Sequence, residues 1–139
     1  MRIIGLDMGT RTIGVAVSDS LGMTAQPVKT IKRTGLASDL KELSALIAEF
    51  EITEIVLGLP IRLDGTKSPM SEAVEVFAGK LGSHTGLPVK LWDERLSTAA
   101  VTRVLKDADM SRAKRKKVVD KLAACYILQG YLDSRGSYG

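Results

Sequence analysis

The 139-residue chain has one cysteine, one histidine and only 4% aromatic residues, and each shortage closes off a class of chemistry. A lone thiol, Cys125, excludes an intrachain disulfide and suits a reducing, cytoplasmic setting. On the apolar stretch around it, Cys125 reads as core packing rather than a nucleophile. His84, in the glycine-rich stretch GSHTG, is too solitary for a His-based triad or a zinc site and reads as a surface turn residue. So few aromatics make a thin base-stacking platform, and Trp92, Tyr126 and Tyr131 read as core. No apolar run approaches the ~20 residues of a membrane helix. MRIIGLD reaches Asp7 too early for a signal peptide and reads as a strand. No GxxxxGK[ST] phosphate loop occurs.

What the chain does have is an ordinary core and an uneven charge. Apolar residues make up 45% of it. A domain of this size buries roughly two-thirds of its unfolded surface, so it needs no metal or disulfide to fold. The expected organisation is one domain over residues 1–133 and a short tail over 134–139. Net charge is +4, from 20 basic and 16 acidic residues. Residues 102–121 hold eight of the bases and three of the acids, so this segment is +5 and the other 119 residues sum to −1. Its centre is RAKRKK, with Arg112, Lys114, Arg115, Lys116 and Lys117. Such a cluster is the footprint of phosphate-backbone binding. It is also what a solvated helix start rich in lysine looks like.

Hydrophobic periodicity predicts the elements. Residues 1–7 are a continuous apolar run ending in an acid, the pattern of a strand buried on both faces. Strands follow over 13–18 and 25–33, giving a three-strand antiparallel meander. Leu36, Leu40, Leu43, Ile47 and Phe50 repeat at helical spacing, with Ser38 or Thr34 placed to cap that helix. A buried strand over 54–59 ends at Pro60, and 61–69 reads as a mobile turn-rich loop. Ser68 and Pro69 open a second helix carrying Met70, Val74, Phe77 and Leu81, stopped by Gly82 or Gly86. A fifth strand over 88–94 and helices over 98–107 and 112–133 complete the chain. The expected fold is α/β: a five-stranded mixed sheet, three antiparallel strands plus two parallel ones, flanked by helices in ribonuclease H-like order.

Three places hold acids that could carry chemistry. Asp7 ends the first buried strand, where a charge is costly unless it is paired or binds a metal; capping the following turn is the bland alternative. Asp93 and Glu94 end the fifth strand, and alternation lets only one of them face a shared site. Asp120 shares a helix face with Ala123, Ala124, Ile127 and Tyr131, which should pack inward. If these acids converge, they make an all-oxygen cage for Mg²⁺ or Mn²⁺, the chemistry that activates water against a phosphodiester.

These segments together resemble the YqgF (RuvX) family of Holliday junction resolvases, also described as pre-16S rRNA nucleases. The resemblance is carried by IIGLDMGTRTIGVAVSD at 3–19, GLP at 58–60, DGT at 64–66, DERLST at 93–98 and SRAKRKKVVDKLAACYILQGYLD at 111–133. It implies a ribonuclease H-like fold and metal-dependent phosphodiester hydrolysis in the bacterial cytoplasm, linked to rRNA 5′-end maturation or junction resolution. By motif position it implies Asp7, Glu94 and Asp120 as metal-holding catalytic acids, with Arg11 and Arg95 joining the basic helix in holding nucleic acid. The chain departs from the family pattern at Thr12, where a second base is usual, and at Arg62, where an Asn is usual. The expected protein is a monomer or homodimer. The competing reading is a non-catalytic nucleic-acid-binding module of the same fold, which would keep the basic helix and not need the acids.

Overall fold

A computed structural model describes residues 2–62, 64–93 and 112–136, with the backbone alone given for 112–121 and 136. Strands β1 (Arg2–Met8), β2 (Thr12–Ser18) and β3 (Ala25–Lys32) are followed by helix α1 (Leu36–Glu49) and strand β4 (Ile52–Leu59). Helix α2 (Pro69–Thr85), strand β5 (Val89–Asp93) and helix α3 (Arg112–Gly136) complete the described elements. The sheet order is β3-β2-β1-β4-β5. β1 pairs antiparallel with β2 and parallel with β4, and β5 pairs parallel with β4. This is the expected meander plus two parallel strands.

The two faces of the sheet are filled differently. One buries Ile4, Leu6, Ile13, Val15, Ile55 and Leu57 against Leu43 of α1 and Val74, Phe77 and Leu81 of α2. The other buries Ile3, Ala16 and Val56 against Ala124, Ile127 and Leu128 of α3. Strand alternation makes this two-sided burial possible, and near-continuous apolar runs such as IIGL make it necessary. An ideal Cβ on Gly5 would lie 2.6 Å from Leu128 Cβ, so α3 packs where only a glycine leaves room.

Local details correct several expectations. The cap of α1 is Gly35, with φ 151°, a conformation that disfavours any residue with a Cβ, and no side chain caps the helix. Ser38 Oγ instead donates to the Gly35 carbonyl. Leu36 lies outside the buried stripe and is 42% exposed. Between the antiparallel bridge of Ile61 and Lys67, Arg62 N donates to Thr66 O, Gly65 N to Arg62 O, and Thr66 N to Asp64 Oδ1. Short Asx-type bonds give this loop its shape. It is tied to α2 by a Ser68–Ser71 capping box and by the buried Ser71 hydroxyl, which donates to Pro60 O. Ser68 as cap, Pro69 as first residue and Gly86 as terminator fall as expected. His84 is exposed on the last turn of α2 rather than in a turn.

Helix α3 continues to Gly136, beyond the expected end near 133. Arg135 lies 3.5 Å from Glu54 and over the Tyr131 ring, which gives the last turn partners on the sheet. The helix expected over 98–107 lies outside the described residues. No helix among the described residues is long and apolar enough to cross a membrane.

Candidate active site

The parallel strands end together. Leu6 pairs with Leu57 and Leu57 with Leu91, so Asp7, Gly58 and Trp92 share the next level at the carboxyl edge. Ligands of parallel sheets bind outside this edge, because loops there can gather groups from several strands. Asp7 is on the α3 face by alternation with Ile3 and Gly5, and it is half-buried. Its antiparallel partner is Gly14, which leaves space beside it. Among the described residues its carboxylate has no hydrogen-bond or ion-pair partner. Among the described residues no turn amide donates to it, and the Gly9 amide donates instead to Thr12 O at 2.8 Å.

Helix α3 brings position 120 toward the same edge. Ala124 and Leu128 lie against Gly5. Tyr131 and Arg135 reach Glu54, the register partner of Ile3. The helix therefore descends from the Gly5 level to the Ile3 level as its numbers rise, antiparallel to β1. Toward lower numbers it runs to the Asp7 end. Asp120 is one turn before Ala124, about 6 Å along the axis, and Asp7 is two residues past Gly5, about 6–7 Å along the strand. The side chain of Asp120 lies outside the described atoms, as do those of Arg112, Lys114, Arg115, Lys116 and Lys117 in the first turns of α3.

At the end of β5, parity separates the two neighbouring acids. Trp92 packs edge-on against Tyr131 with ring centroids 5.8 Å apart, so the α3 face holds the even positions. Gly130 makes room for the indole, its ideal Cβ lying 3.1 Å from Trp92 Nε1. Asp93, the partner of Leu59, is on the opposite face. Glu94 and Arg95 lie outside the described residues. Among the described residues no three acid, His or Cys side chains form a metal-sized cluster.

Arg11 is exposed in the β1–β2 turn, two residues past Gly9. Lys67, exposed on the loop after β4, pairs with Glu75 at 2.8 Å, and that carboxylate pushes its pKa up. Cys125 donates to Ala25 O at 3.4 Å, and burial pushes its thiol pKa up, so it is packed rather than activated.

Sequence reading missed Arg33 and Asp39. Arg33 Nη1 donates to the Gly9 carbonyl at 2.8 Å, and its backbone N–H donates to Arg11 O at 2.9 Å. Its Nε lies 3.7 Å from Asp39 Oδ2. Asp39 is only 2% exposed, and its Oδ1 accepts from Thr34 N at 3.1 Å. An acid in a helical first turn is so common that nothing in the sequence marked this one as buried.

The strand order and the helix on each face define a ribonuclease H-like α/β domain. Solved structures of that fold superpose over nearly the whole chain. Thermus thermophilus RuvC in complex with a Holliday junction substrate gives a TM-score of 0.58 at 14% identity, over 100% of this chain and 98% of that one. The fowlpox virus Holliday junction resolvase gives 0.54 at 12% identity, over 97% and 99%. The family model described as RuvX, Holliday junction resolvase, matches residues 1–134, and the chain belongs to this family. A relative from Myxococcus xanthus is 54% identical over 96% of this chain and 89% of its own length. One from Moorella thermoacetica is 53% identical over 100% and 99%. Both carry the provisional name pre-16S rRNA nuclease.

Proposed function

We propose that this protein is a divalent-metal-dependent nuclease that hydrolyses phosphodiester bonds in structured nucleic acid. Its substrates are precursor 16S rRNA at the 5′ end, a four-way DNA junction, or both. The observation that carries the reading is the seating of α3 on Gly5: it sets position 120 and Asp7 toward one end of the sheet. Family membership and the names of the relatives support the same activity.

In this reading Asp7, Glu94 and Asp120 hold Mg²⁺ or Mn²⁺. The parity that puts Asp93 on the far face favours Glu94 as the second acid. Carboxylate oxygens are the donors such hard cations prefer. A metal held there would supply a nucleophilic water at neutral pH and would offset charge on the leaving oxygen. Arg11, Arg95 and the basic start of α3 hold the phosphate backbone on either side of the acids. Position by position, the acids and the bases then divide the labour between turnover and affinity. The basic balance and this chemistry suit a cytoplasmic protein, and a symmetric cut of a four-way junction calls for two copies.

The test is cleavage with Mg²⁺ or Mn²⁺ of an RNA spanning the ribosomal 5′ processing site, a four-way DNA junction and a plain duplex. Asp7→Asn should lower kcat at least about 10²-fold, the scale of losing one electrostatic stabiliser, while filter binding of the same substrates stays within about threefold. Equal cleavage by Asp7→Asn, or binding without cleavage by the wild type, would leave the non-catalytic binding module as the better reading.

A further inference from the structure

We infer that Arg33, anchored by the buried carboxylate of Asp39, is a positioning residue that sets the Asp7–Arg11 turn for catalysis. The inference deepens the nuclease reading and rests on it. Asp39 is almost fully enclosed, and a carboxylate there is tolerated only with charge and hydrogen bonds around it. Thr34 N and Arg33 Nε face its two oxygens. The guanidinium is a rigid plane of donors, so fixing one edge aims the other. Here Nε faces Asp39 and Nη1 donates to the Gly9 carbonyl.

Gly9 follows Asp7 by two residues, and the Arg11 carbonyl takes the Arg33 backbone N–H. The start and the exposed base of the turn are thus both tied to residue 33, one by side chain and one by main chain. The ladder does not need this clamp: β1 and β2 are paired through Met8 and Ile13 without it. What the clamp adds is a fixed path for the five residues carrying the candidate acid Asp7 and the candidate phosphate contact Arg11. Small misplacements of a reacting group can cost about 10²-fold in rate.

The experiment compares wild type with Arg33→Ala, Arg33→Lys and Asp39→Asn by steady-state cleavage and by amide hydrogen exchange. Arg33→Ala should lower kcat on the order of 10-fold to 10²-fold with KM within about twofold. The Gly9 amide should exchange at least about tenfold faster while β4 amides keep their protection. Asp39→Asn should shift both readings the same way. Arg33→Lys, which keeps the charge and donor hydrogens but not the planar fork, should recover part of the loss. An unchanged kcat, a lysine variant no better than alanine, or faster exchange spread evenly over the sheet would overturn the inference. If the wild type cuts none of the substrates, the nuclease reading falls by itself, and Gly9 exchange still decides whether the clamp sets the turn.

Discussion

The sheet's two faces do different jobs, and the difference lies in side-chain size. Under α1 and α2 the strands present Ile4, Leu6, Ile13, Val15 and Leu57, all with at most 1% exposure. Under α3 they present Ile3 and Val56 but also Gly5, Gly14 and Ala16, with the half-buried Asp7 beyond. Large branched residues fill volume and supply most of the hydrophobic stabilisation. Small ones add little burial but let a helix approach within backbone contact. A helix held that closely has a fixed height against the strand. The α1/α2 face therefore supplies stability, and the α3 face fixes the height of the helix against the strand.

The sharpest way to break this division is Leu43→Ala, on the α1 side and fully buried. It should cost about 2–5 kcal/mol in urea unfolding, as cavity-forming substitutions do. Cleavage per folded molecule should stay at the wild-type level, and a matching loss of kcat would show that both faces set the site. A smaller loss of stability with a larger loss of activity is expected for Gly5→Ala. The new methyl would meet Leu128 Cβ at 2.6 Å, so α3 must move. Overpacking of this kind costs about 1–3 kcal/mol. If alignment is the role of this face, kcat falls further than for Leu43→Ala although the protein is the more stable of the two. Equal kcat in both variants would remove the distinction.

The smallest effect concerns the far end of α3. Burial pushes the Tyr131 pKa above its ordinary value of 10.0, and the hydrogen bond it donates to Glu54 pushes it further the same way. A raised folded-state pKa means a contribution that is full below pH 10 and lost as pH rises through the folded value. Stability should therefore be flat toward pH 10 on account of this group and decline above it. The group is partly solvated, so the change should stay below about 1 kcal/mol. Tyr131→Phe should abolish that alkaline decline in thermal melts while leaving cleavage at neutral pH intact.

Much of the frame was legible before any coordinates. Apolar runs and helical repeats found five strands and the helices over 36–49, 69–85 and 112–136, with ends a few residues off. Ser68 and Pro69 announced the start of α2 through local chemistry alone, and of the two candidate stops, Gly82 and Gly86, the latter ends it in the left-handed region. Asp7 stood out because an acid inside a buried run is costly. The misses share a cause. Leu36 fits the helical repeat of α1, yet it is left 42% exposed. Gly35 caps through a backbone angle that no periodicity encodes. The loop after β4 takes its shape from short-range bonds among Arg62, Asp64, Gly65 and Thr66, and its tie to α2 through Ser71 and Pro60 forms only once both elements are in place. Gly9 is distant in sequence from Arg33 and Asp39 and meets Arg33 through the β1–β2–β3 ladder.

The sequence by itself determined what is local: periodicity, caps, the strand meander, the lone acid at the end of β1 and the basic start of α3. These follow from backbone propensity and from hydrophobic surface that must be buried. Only the tertiary structure decided that Asp7 lies on the α3 face, that Asp93 lies on the opposite one, and that Asp39 of α1 is buried beside Arg33. Those outcomes depend on register and on how closely a helix can approach a strand. The sizes of residues far apart in the chain, such as Gly5 against Leu128 and Gly130 against Trp92, set that approach.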